Sequence, residues 1–283
     1  MKNGVNGSLY PRRITDVADI DKAINSIRQK NGIWHTNFYI SREECHECVA
    51  EGAFSIFIST NSVLLFRRRT RFYILYFATS DLDDFRTSVN DVCVSAKENY
   101  IAYIIHKDNC KVEVIDILSE LGFIRRSVLR RMVLKKQYSR TANSSHELVV
   151  ANSDDVDEIY EIFYNNFDEF SDRLPSKQEI GKGIKSQRDD ILVLRDDNGH
   201  IINIFWFVRQ GKSILWKYWI IRPEYRDRGL GAQLAQCALS LYTDAMRIAL
   251  WVRDNNPRAQ ALHRKLGFVP DNLNDNVMCL LNN

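Results

Sequence analysis

The sequence predicts an α/β protein built as two tandem copies of one fold, each with a central, mostly antiparallel mixed sheet flanked by helices. A chain of 283 residues ordinarily forms two domains. Three short matches also recur in the same order in both halves, which indicates an internal repeat. The matched segments are 19–21 with 155–157, 121–123 with 266–268, and Met132 and Leu134 with Met278 and Leu280.

The first half, residues 1–137, alternates helical and strand patterns. Helix 16–28 places Ile20, Ala23, Ile24 and Ile27 on one face. Aromatic and aliphatic runs separated by turn-sized gaps predict a three-strand antiparallel meander. The expected elements after that helix are strands 54–59, 63–69 and 72–79, helix 81–99, strand 100–106, helix 113–121 and strand 127–134.

Residues 138–146 are polar and predict a linker, and residues 147–283 repeat the order of the first half. Two helices come first, then strands around a turn at 197–199, and finally a strand, a helix and a strand. The expected elements are helices 156–167 and 175–185, strands 190–195, 200–209 and 214–221, helix 233–246, strand 247–252, helix 260–266 and strand 277–281.

Composition excludes several classes of protein. A net charge of +3 gives no basis for nucleic-acid binding, and no apolar run approaches the roughly 18 residues of a membrane span. We therefore expect a cytoplasmic protein with no nucleic-acid or membrane partner. Six scattered cysteines suit reduced, packed thiols. Cys45 and Cys48 are expected to lie on a helix, with a zinc or redox role as the weaker alternative, and no metal site is predicted.

A strand, a glycine turn and a helix meet between Tyr218 and Ala232. The first turn of a helix carries main-chain N–H groups that have no intrahelical partner, so it attracts anions. Glycines at 229 and 231 let a phosphate approach that main chain, which predicts a diphosphate site. The spacing fits neither the Gly-Lys-Ser/Thr ending of a P-loop nor the three glycines of a dinucleotide-binding loop.

The pattern Arg226-x-x-Gly229-x-Gly231 resembles the pyrophosphate loop of the GNAT superfamily of N-acetyltransferases. A second segment, Asn256-x-x-Ala259 followed by Leu-Gly-Phe at 266–268, resembles the other signature of that superfamily. The resemblance implies an acetyl-CoA dependent N-acetyltransferase in the second half. It assigns the cosubstrate to the main chain of Ile220 and Ile221, to Asn256, and to the loop residues Arg226, Asp227, Arg228, Gly229, Leu230, Gly231 and Ala232.

The corresponding junction of the first half has no glycine and carries Asp81, Asp83 and Asp84. These carboxylates would repel a diphosphate, so the first half is expected to lack a coenzyme site. Arginines at 67, 68, 69 and 71 predict a solvated hairpin turn, with a contact for an anionic substrate as the alternative.

The residues that would move protons are less clearly marked. The superfamily commonly has a tyrosine where this chain has His263, so His263 is a candidate proton donor or only a packed helix residue. Tyr242 and Tyr218 are alternative donors. Strand 214–221 has no carboxylate to serve as a base. Asp168, Glu169 and Asp172 could surround an ammonium or form a solvated acidic loop, and water could be the base.

The predicted function is acetyl transfer to a primary amine, with a small-molecule amine or amino sugar favoured as acceptor. The alternative is a non-catalytic module or scaffold that binds or senses coenzyme A. Homo-oligomerisation is left open by the sequence.

Overall fold

The computed structural model describes residues 10–108, 110–135, 147–226 and 229–282. The chain divides into two compact units. The first comprises residues 1–128 and 274–283, and the second comprises residues 129–273. The predicted linker lies outside the described residues. The predicted domain limits, 1–137 and 147–283, stay a prediction.

The first unit follows the predicted order of helices and strands. Its elements are β1 (Arg12–Arg13), α1 (Val17–Arg28), β2 (His35–Thr36), α2 (Arg42–Ala50), β3 (Phe54–Ile58), β4 (Ser62–Arg68), β5 (Tyr73–Thr79), α3 (Leu82–Val89), β6 (Tyr100–Lys107) and α4 (Glu113–Glu120). The strands are ordered β1-β3-β4-β5-β6, and β2 pairs with β5. Neighbours from β1 to β5 are antiparallel, whereas β5 and β6 are parallel.

Alternating side chains of this sheet pack against helices on each face. Val63 and Leu65 of β4 lie in the core formed with α1 and α2. Leu64 and Phe66 lie in the core formed with α3 and α4, to which Met278 also belongs. A strand places successive side chains on opposite faces, so an apolar run without alternation fits a sheet covered on both sides.

The second unit repeats this order. It contains the end of β7 (Ile124–Lys135), then β8 (Val149–Val150), α5 (Val156–Asn166), α6 (Lys177–Lys185), β9 (Asp189–Arg195), β10 (Ile201–Gln210), β11 (Ser213–Ile221), α7 (Leu230–Ser240), β12 (Arg247–Arg253), α8 (Pro257–Lys265) and the start of β13 (Val269–Leu280). The strand order is β7-β12-β11-β10-β9-β8. The β11–β12 pair is parallel and the other neighbours are antiparallel.

Two cores cover the two faces of the second sheet. One joins Phe205, Phe207 and Trp216 to α7 and α8. The other joins Ile204 and Trp206 to α5 and α6. The predicted fold class, a mixed sheet flanked by helices in each copy, is confirmed.

Three predicted elements differ most in extent. Helix 81–99 keeps regular geometry only to Val89 and continues as a π-helical turn to Val94. Helix 233–246 instead begins at Leu230, because Gly229 adopts a left-handed conformation that starts the helix, and it ends at Ser240. The final strand begins eight residues earlier than predicted, at Val269.

The cysteine prediction for α2 is confirmed, because Cys45 and Cys48 both lie on that helix and are buried. Burial and the neighbouring Glu44 raise the pKa of the Cys45 thiol to about 11. Such a thiol stays protonated at neutral pH, so it is a poor metal ligand or nucleophile.

Candidate active site

The two parallel strands of the second unit pair over only four residues each. Residues 213–216 of β11 pair with residues 247–250 of β12. Beyond that point β11 continues to Ile221 on its pairing with β10, and β12 continues to Arg253 on its pairing with β7. A wedge therefore opens between Lys217 and Ile221 on one side and residues 251–253 on the other.

A β-bulge at Lys217 sets which main-chain groups point into this wedge. The pairing register shifts between Trp206 and Phe207, which leaves Lys217 as the extra residue of β11. After the bulge, Arg222 donates its main-chain N–H to Ile202 of β10. The main-chain N–H and C=O groups of successive residues point to opposite sides of a strand. Those of Ile220, two residues before Arg222, therefore also point to β10.

The main-chain groups of Trp219 and Ile221 consequently point into the wedge. This corrects the expectation for Ile220, whose main chain is committed to the neighbouring strand, and adds Trp219, which sequence reasoning missed. The bulge shifts the pairing register of β11 by one residue, and no pattern in the sequence indicates it.

The glycine turn lies at the start of α7. Gly229 has φ of 73° and is the N-cap residue, and no side chain in the described part of the chain caps the helix. A Cβ built at Gly229 meets no described atom within 4 Å. Main-chain N–H groups of the first turn, which includes Leu230, Gly231 and Ala232, thus have no intrahelical acceptor. This is the geometry that binds anions.

Gly231 borders the apolar wall of the same region. A Cβ built there lies 3.5 Å from Leu262, 3.6 Å from Ile221 and 3.7 Å from Trp219. Those are ordinary contact distances, so the unliganded fold would tolerate alanine at this position. Asp227 and Arg228 lie outside the described residues.

Arg226 holds the end of β11. Its Nε donates to the carbonyl of Ile221 at 2.8 Å, and its guanidinium reaches Asn166 at 3.4 Å. Its side chain is exposed and stands beside the glycine turn, so it can still offer positive charge to a bound anion.

The corresponding helix of the first unit has two of its first-turn amides already occupied. The carboxylate of Asp81 accepts from the main-chain N–H groups of Asp83 at 2.9 Å and of Asp84 at 3.0 Å. Such a cap satisfies the donors and adds negative charge at the same place. The described residues at this junction therefore offer nothing to a diphosphate.

Asn256 is the N-cap of α8, where its Oδ1 accepts from the N–H of Ala259 at 3.0 Å. The side chain is exposed. Its amide nitrogen remains oriented by this cap and can act as a donor at the rim of the wedge.

His263 lies on α8 within an aromatic cluster. Its ring packs edge-on against Trp216, Trp219 and Phe268, with centroid distances of 5.6–5.8 Å. The residue is only 7% exposed, and its Nδ1 has no hydrogen-bond partner among the described residues. Burial lowers the pKa of the imidazole from 6.5 to about 4, so the ring is neutral at pH 7.

Tyr242 lies beyond the C-terminal end of α7, on the far side from Gly229. An α-helix rises about 1.5 Å per residue, so roughly 16 Å of helix separates the two ends. The hydroxyl donates to Asp190 at 2.9 Å, and burial together with Asp190 raises the pKa of Tyr242 well above its ordinary value. The structure does not bring Tyr242 to the wedge, and we withdraw it as a proton donor.

Tyr218 lies nearer to the wedge but on the opposite face of the sheet. Its ring packs with Phe163 and Trp206 in the core below α5 and α6. Its hydroxyl donates to the carbonyl of Arg173 in the loop between those helices. Tyr218 thus fixes a loop that runs past the opening of the wedge.

The acidic loop is tied to the end of β12. Arg253 donates from Nε and Nη2 to the carboxylate of Asp172, and Asp168 lies 4.0 Å from the same guanidinium. Burial outweighs Arg253 and raises the pKa of Asp172 above its ordinary value. The loop is therefore not a solvated acidic segment, and Arg253 is a contributor that the sequence patterns did not mark.

Comparison with known proteins identifies the family of the second unit. The model of the Acetyltransferase (GNAT) family matches residues 156–268. A Bacillus subtilis (strain 168) protein, whose name describes an N-acetyltransferase for alanine of ribosomal protein bS18, is 31% identical over 127 residues, which are 44% of this chain and 80% of that protein. The chain belongs to the GNAT acetyltransferase family.

Solved structures extend the likeness in fold to nearly the whole chain. A Drosophila protein has a TM-score of 0.59 and 13% identity, with 96% of this chain and 99% of that one covered. A tandem GNAT protein from the clavulanic acid biosynthesis pathway has a TM-score of 0.55 and 11% identity, with 97% and 98% covered. Two copies of the GNAT fold in one chain are thus confirmed. No helix among the described residues is long and apolar enough to cross a membrane.

GNAT enzymes use acetyl-CoA, and the second unit fits such a group. The start of α7 and the left-handed Gly229 suit a diphosphate, and the main-chain groups of Trp219 and the N–H of Ile221 face the wedge, where an amide-bearing arm would lie. No group of three or more His, Cys, Asp or Glu side chains in the described part of the chain could hold a metal ion.

Proposed function

We propose that this protein transfers the acetyl group of acetyl-CoA to the primary amine of a small molecule, using the second unit alone. One observation carries the proposal. Helix α7, which begins after Gly229 without a capping side chain among the described residues, follows the end of β11, where the wedge between β11 and β12 opens. The thioester of the cosubstrate supplies the activated acetyl group, and the residues of this chain bind and orient it.

Three contributions of the chain follow from the geometry. The N–H groups from Leu230 to Ala232 bind the diphosphate, assisted by Arg226. The main chain of Trp219 and Ile221 orients the amide-bearing arm like an added strand. The neutral ring of His263, packed against Trp216 and Trp219, keeps water from the inner end of the wedge.

The acceptor is expected to enter beside the loop between α5 and α6. That loop is held at Asp172 by Arg253 and at Arg173 by Tyr218, so it forms a fixed boundary of the wedge. A fixed boundary favours a small amine over a folded protein surface. The bacterial relative is named for a protein substrate, so a peptide with an N-terminal alanine belongs in the acceptor panel.

Proton removal from the acceptor ammonium is assigned to water or to the acidic loop. Asp168 and Asp172 are already engaged with Arg253, and strand β11 carries no carboxylate. A neutral His263 is a weak acid. The conjugate acid of the departing thiolate resembles a cysteine thiol, which has a pKa of about 8.5, so the thiolate is expected to take its proton from solvent.

The decisive experiment measures thiol release from acetyl-CoA with a panel of amino sugars, small amines and an alanine-terminated peptide. Release that depends on one class of amine supports the proposal and identifies the acceptor. The absence of coenzyme A binding, measured by calorimetry, would contradict it.

A non-catalytic coenzyme A binding module is the second candidate. It is favoured by the lack of a charged proton donor at His263 and by the remote position of Tyr242. Binding of coenzyme A without turnover across the whole panel would favour this candidate over the enzyme.

A further inference from the structure

The first unit contains a strand wedge of the same kind as the second. Parallel strands β5 and β6 pair only at Tyr73 with Tyr100 and at Ile74 with Ile101. Both strands continue for several residues, to Thr79 and Lys107. Main-chain groups of the later residues would therefore face an open gap.

The gap is filled by residues 35–37 of the same chain. His35 and Thr36 of β2 pair antiparallel with Thr79 and Ala78 of β5. The hydroxyl of Thr36 donates to the carbonyl of Phe77 at 2.7 Å. The segment thus lies along the free edge of β5 as a short added strand.

Asn37 joins the two sides of the wedge. Its Oδ1 accepts from the N–H of Phe77 at 2.7 Å, and its Nδ2 donates to the carbonyls of Leu75 at 2.9 Å and Tyr103 at 3.3 Å. Leu75 and Phe77 belong to β5, whereas Tyr103 belongs to β6. Asn37 is 5% exposed, so these bonds are sheltered from water.

The side chain of Asn37 presents an amide with one acceptor oxygen and two N–H donors, which is one donor more than the secondary amide of an extended ligand has. Without it, the buried N–H of Phe77 and the buried carbonyl of Leu75 would lose the hydrogen bonds that this side chain makes. Residues 35–37 therefore do in the first wedge what an amide-bearing arm would do in the second.

We propose that residues 35–37 are a built-in occupant of the first wedge, with Asn37 as the closing residue, so that the chain binds one coenzyme and not two. The stoichiometry rests on the proposed function of the second unit. The occupancy of the first wedge does not.

Two measurements test the proposal. Native mass spectrometry of the full chain counts coenzyme A molecules per chain. Hydrogen exchange then follows the Phe77 amide in the wild type and in Asn37→Ala, Asn37→Asp and Asn25→Ala variants. Asn25 is an exposed asparagine on α1 of the same unit and provides the matched control.

We expect one coenzyme A per chain and no added protection of residues 75–77 when it binds. Asn37→Ala should speed exchange of the Phe77 amide by about tenfold or more, and Asn25→Ala should leave it unchanged. Asn37→Asp keeps the acceptor for Phe77 but loses both donors, so it should speed the same amide less than Asn37→Ala.

Two coenzymes per wild-type chain, or protection of residues 75–77 by coenzyme A, would overturn the proposal. Equal exchange in Asn37→Ala and Asn25→Ala would also overturn it. If no coenzyme binds at all, the proposed function fails, whereas the exchange comparison still decides the occupancy. If the Asn37 variants do not fold, the count on the wild type decides alone.

Discussion

Arg253 holds Asp172 through a two-point hydrogen bond, and this pair joins the end of strand β12 to the loop between α5 and α6. The side chains are 30% and 12% exposed. The pair is therefore partly sheltered, and it lies where the two parallel strands have separated. Two consequences can be measured.

Asp172→Ala should lower the free energy of unfolding by about 1–3 kcal/mol, because it leaves the Arg253 guanidinium without its main partner. Asp172→Asn should cost less, because the pKa of Asp172 is already raised by burial and the amide keeps the shape. Urea unfolding measures both values.

The matched control for that pair is Asp157→Ala, which removes the exposed ion pair with Lys177, and its cost should stay below about 1 kcal/mol. Equal losses for the two alanine variants would contradict a sheltered role for Asp172. If the loop bounds the acceptor site, Asp172→Ala should also raise the KM for the amine while leaving coenzyme affinity unchanged.

Gly229→Ala should weaken coenzyme A binding more than it destabilises the fold. The residue has φ of 73°, so alanine costs about 1 kcal/mol of backbone strain, and no described atom is close enough to clash. Thermal shift with and without coenzyme A separates the two effects.

Gly199→Ala is the control for Gly229, since Gly199 has φ of 86° and equally open surroundings in the turn between β9 and β10. It should reproduce the loss of stability and retain the full shift by coenzyme A. An undiminished shift in Gly229→Ala would show that the ligand does not approach this turn.

Burial of His263 should make the free energy of unfolding depend on pH. Between pH 6.5 and about 4 the unfolded chain gains a proton at this residue, whereas the folded protein does not. Stability should therefore fall as the pH drops through this window, by up to about 3 kcal/mol. Unfolding midpoints measured across the window should show a flatter profile for His263→Phe than for the wild type.

At pH 7 the His263 imidazole is neutral, so His263→Phe should reduce turnover less than about tenfold. General acids contribute about a hundredfold or more, and a loss of that size would restore His263 as the donor.

Tyr242→Phe should cost about 1 kcal/mol of stability through the lost hydrogen bond to Asp190, without changing turnover. Tyr218→Phe removes a similar hydroxyl bond, but that bond holds the Arg173 carbonyl of the loop. We expect a raised KM for the amine in Tyr218→Phe alone. Steady-state kinetics on both variants would contradict this assignment if Tyr242→Phe lost activity.

Local patterns were sufficient for the fold and for the glycine turn. The order of helices and strands follows from apolar periodicity, and Gly229 follows from the residue type that a left-handed helix start requires. Both kinds of information reside in neighbouring residues. The three matched segments likewise predicted two copies, which the structure and the tandem GNAT likeness confirm.

Side-chain roles that depend on distant contacts could not be predicted. Tyr242 matched a helical pattern, but only the fold places its hydroxyl on Asp190, 52 residues away in sequence. Arg253 and Asp172 are 81 residues apart in the sequence. The register shift at Lys217 depends on the pairing of β11 with β10. The wedge itself exists because two strands stop pairing, which no local pattern records.

Residues 274–283 belong to the first compact unit, although they follow the whole of the second unit in the sequence. Met278 and Leu280 pack in the same hydrophobic core as Phe66 and Phe77. The first copy therefore has an incomplete interior until that strand has been translated. An amino-terminal fragment that ends before residue 147 would lack the strand, so it is expected to be less stable than the same copy within the full sequence.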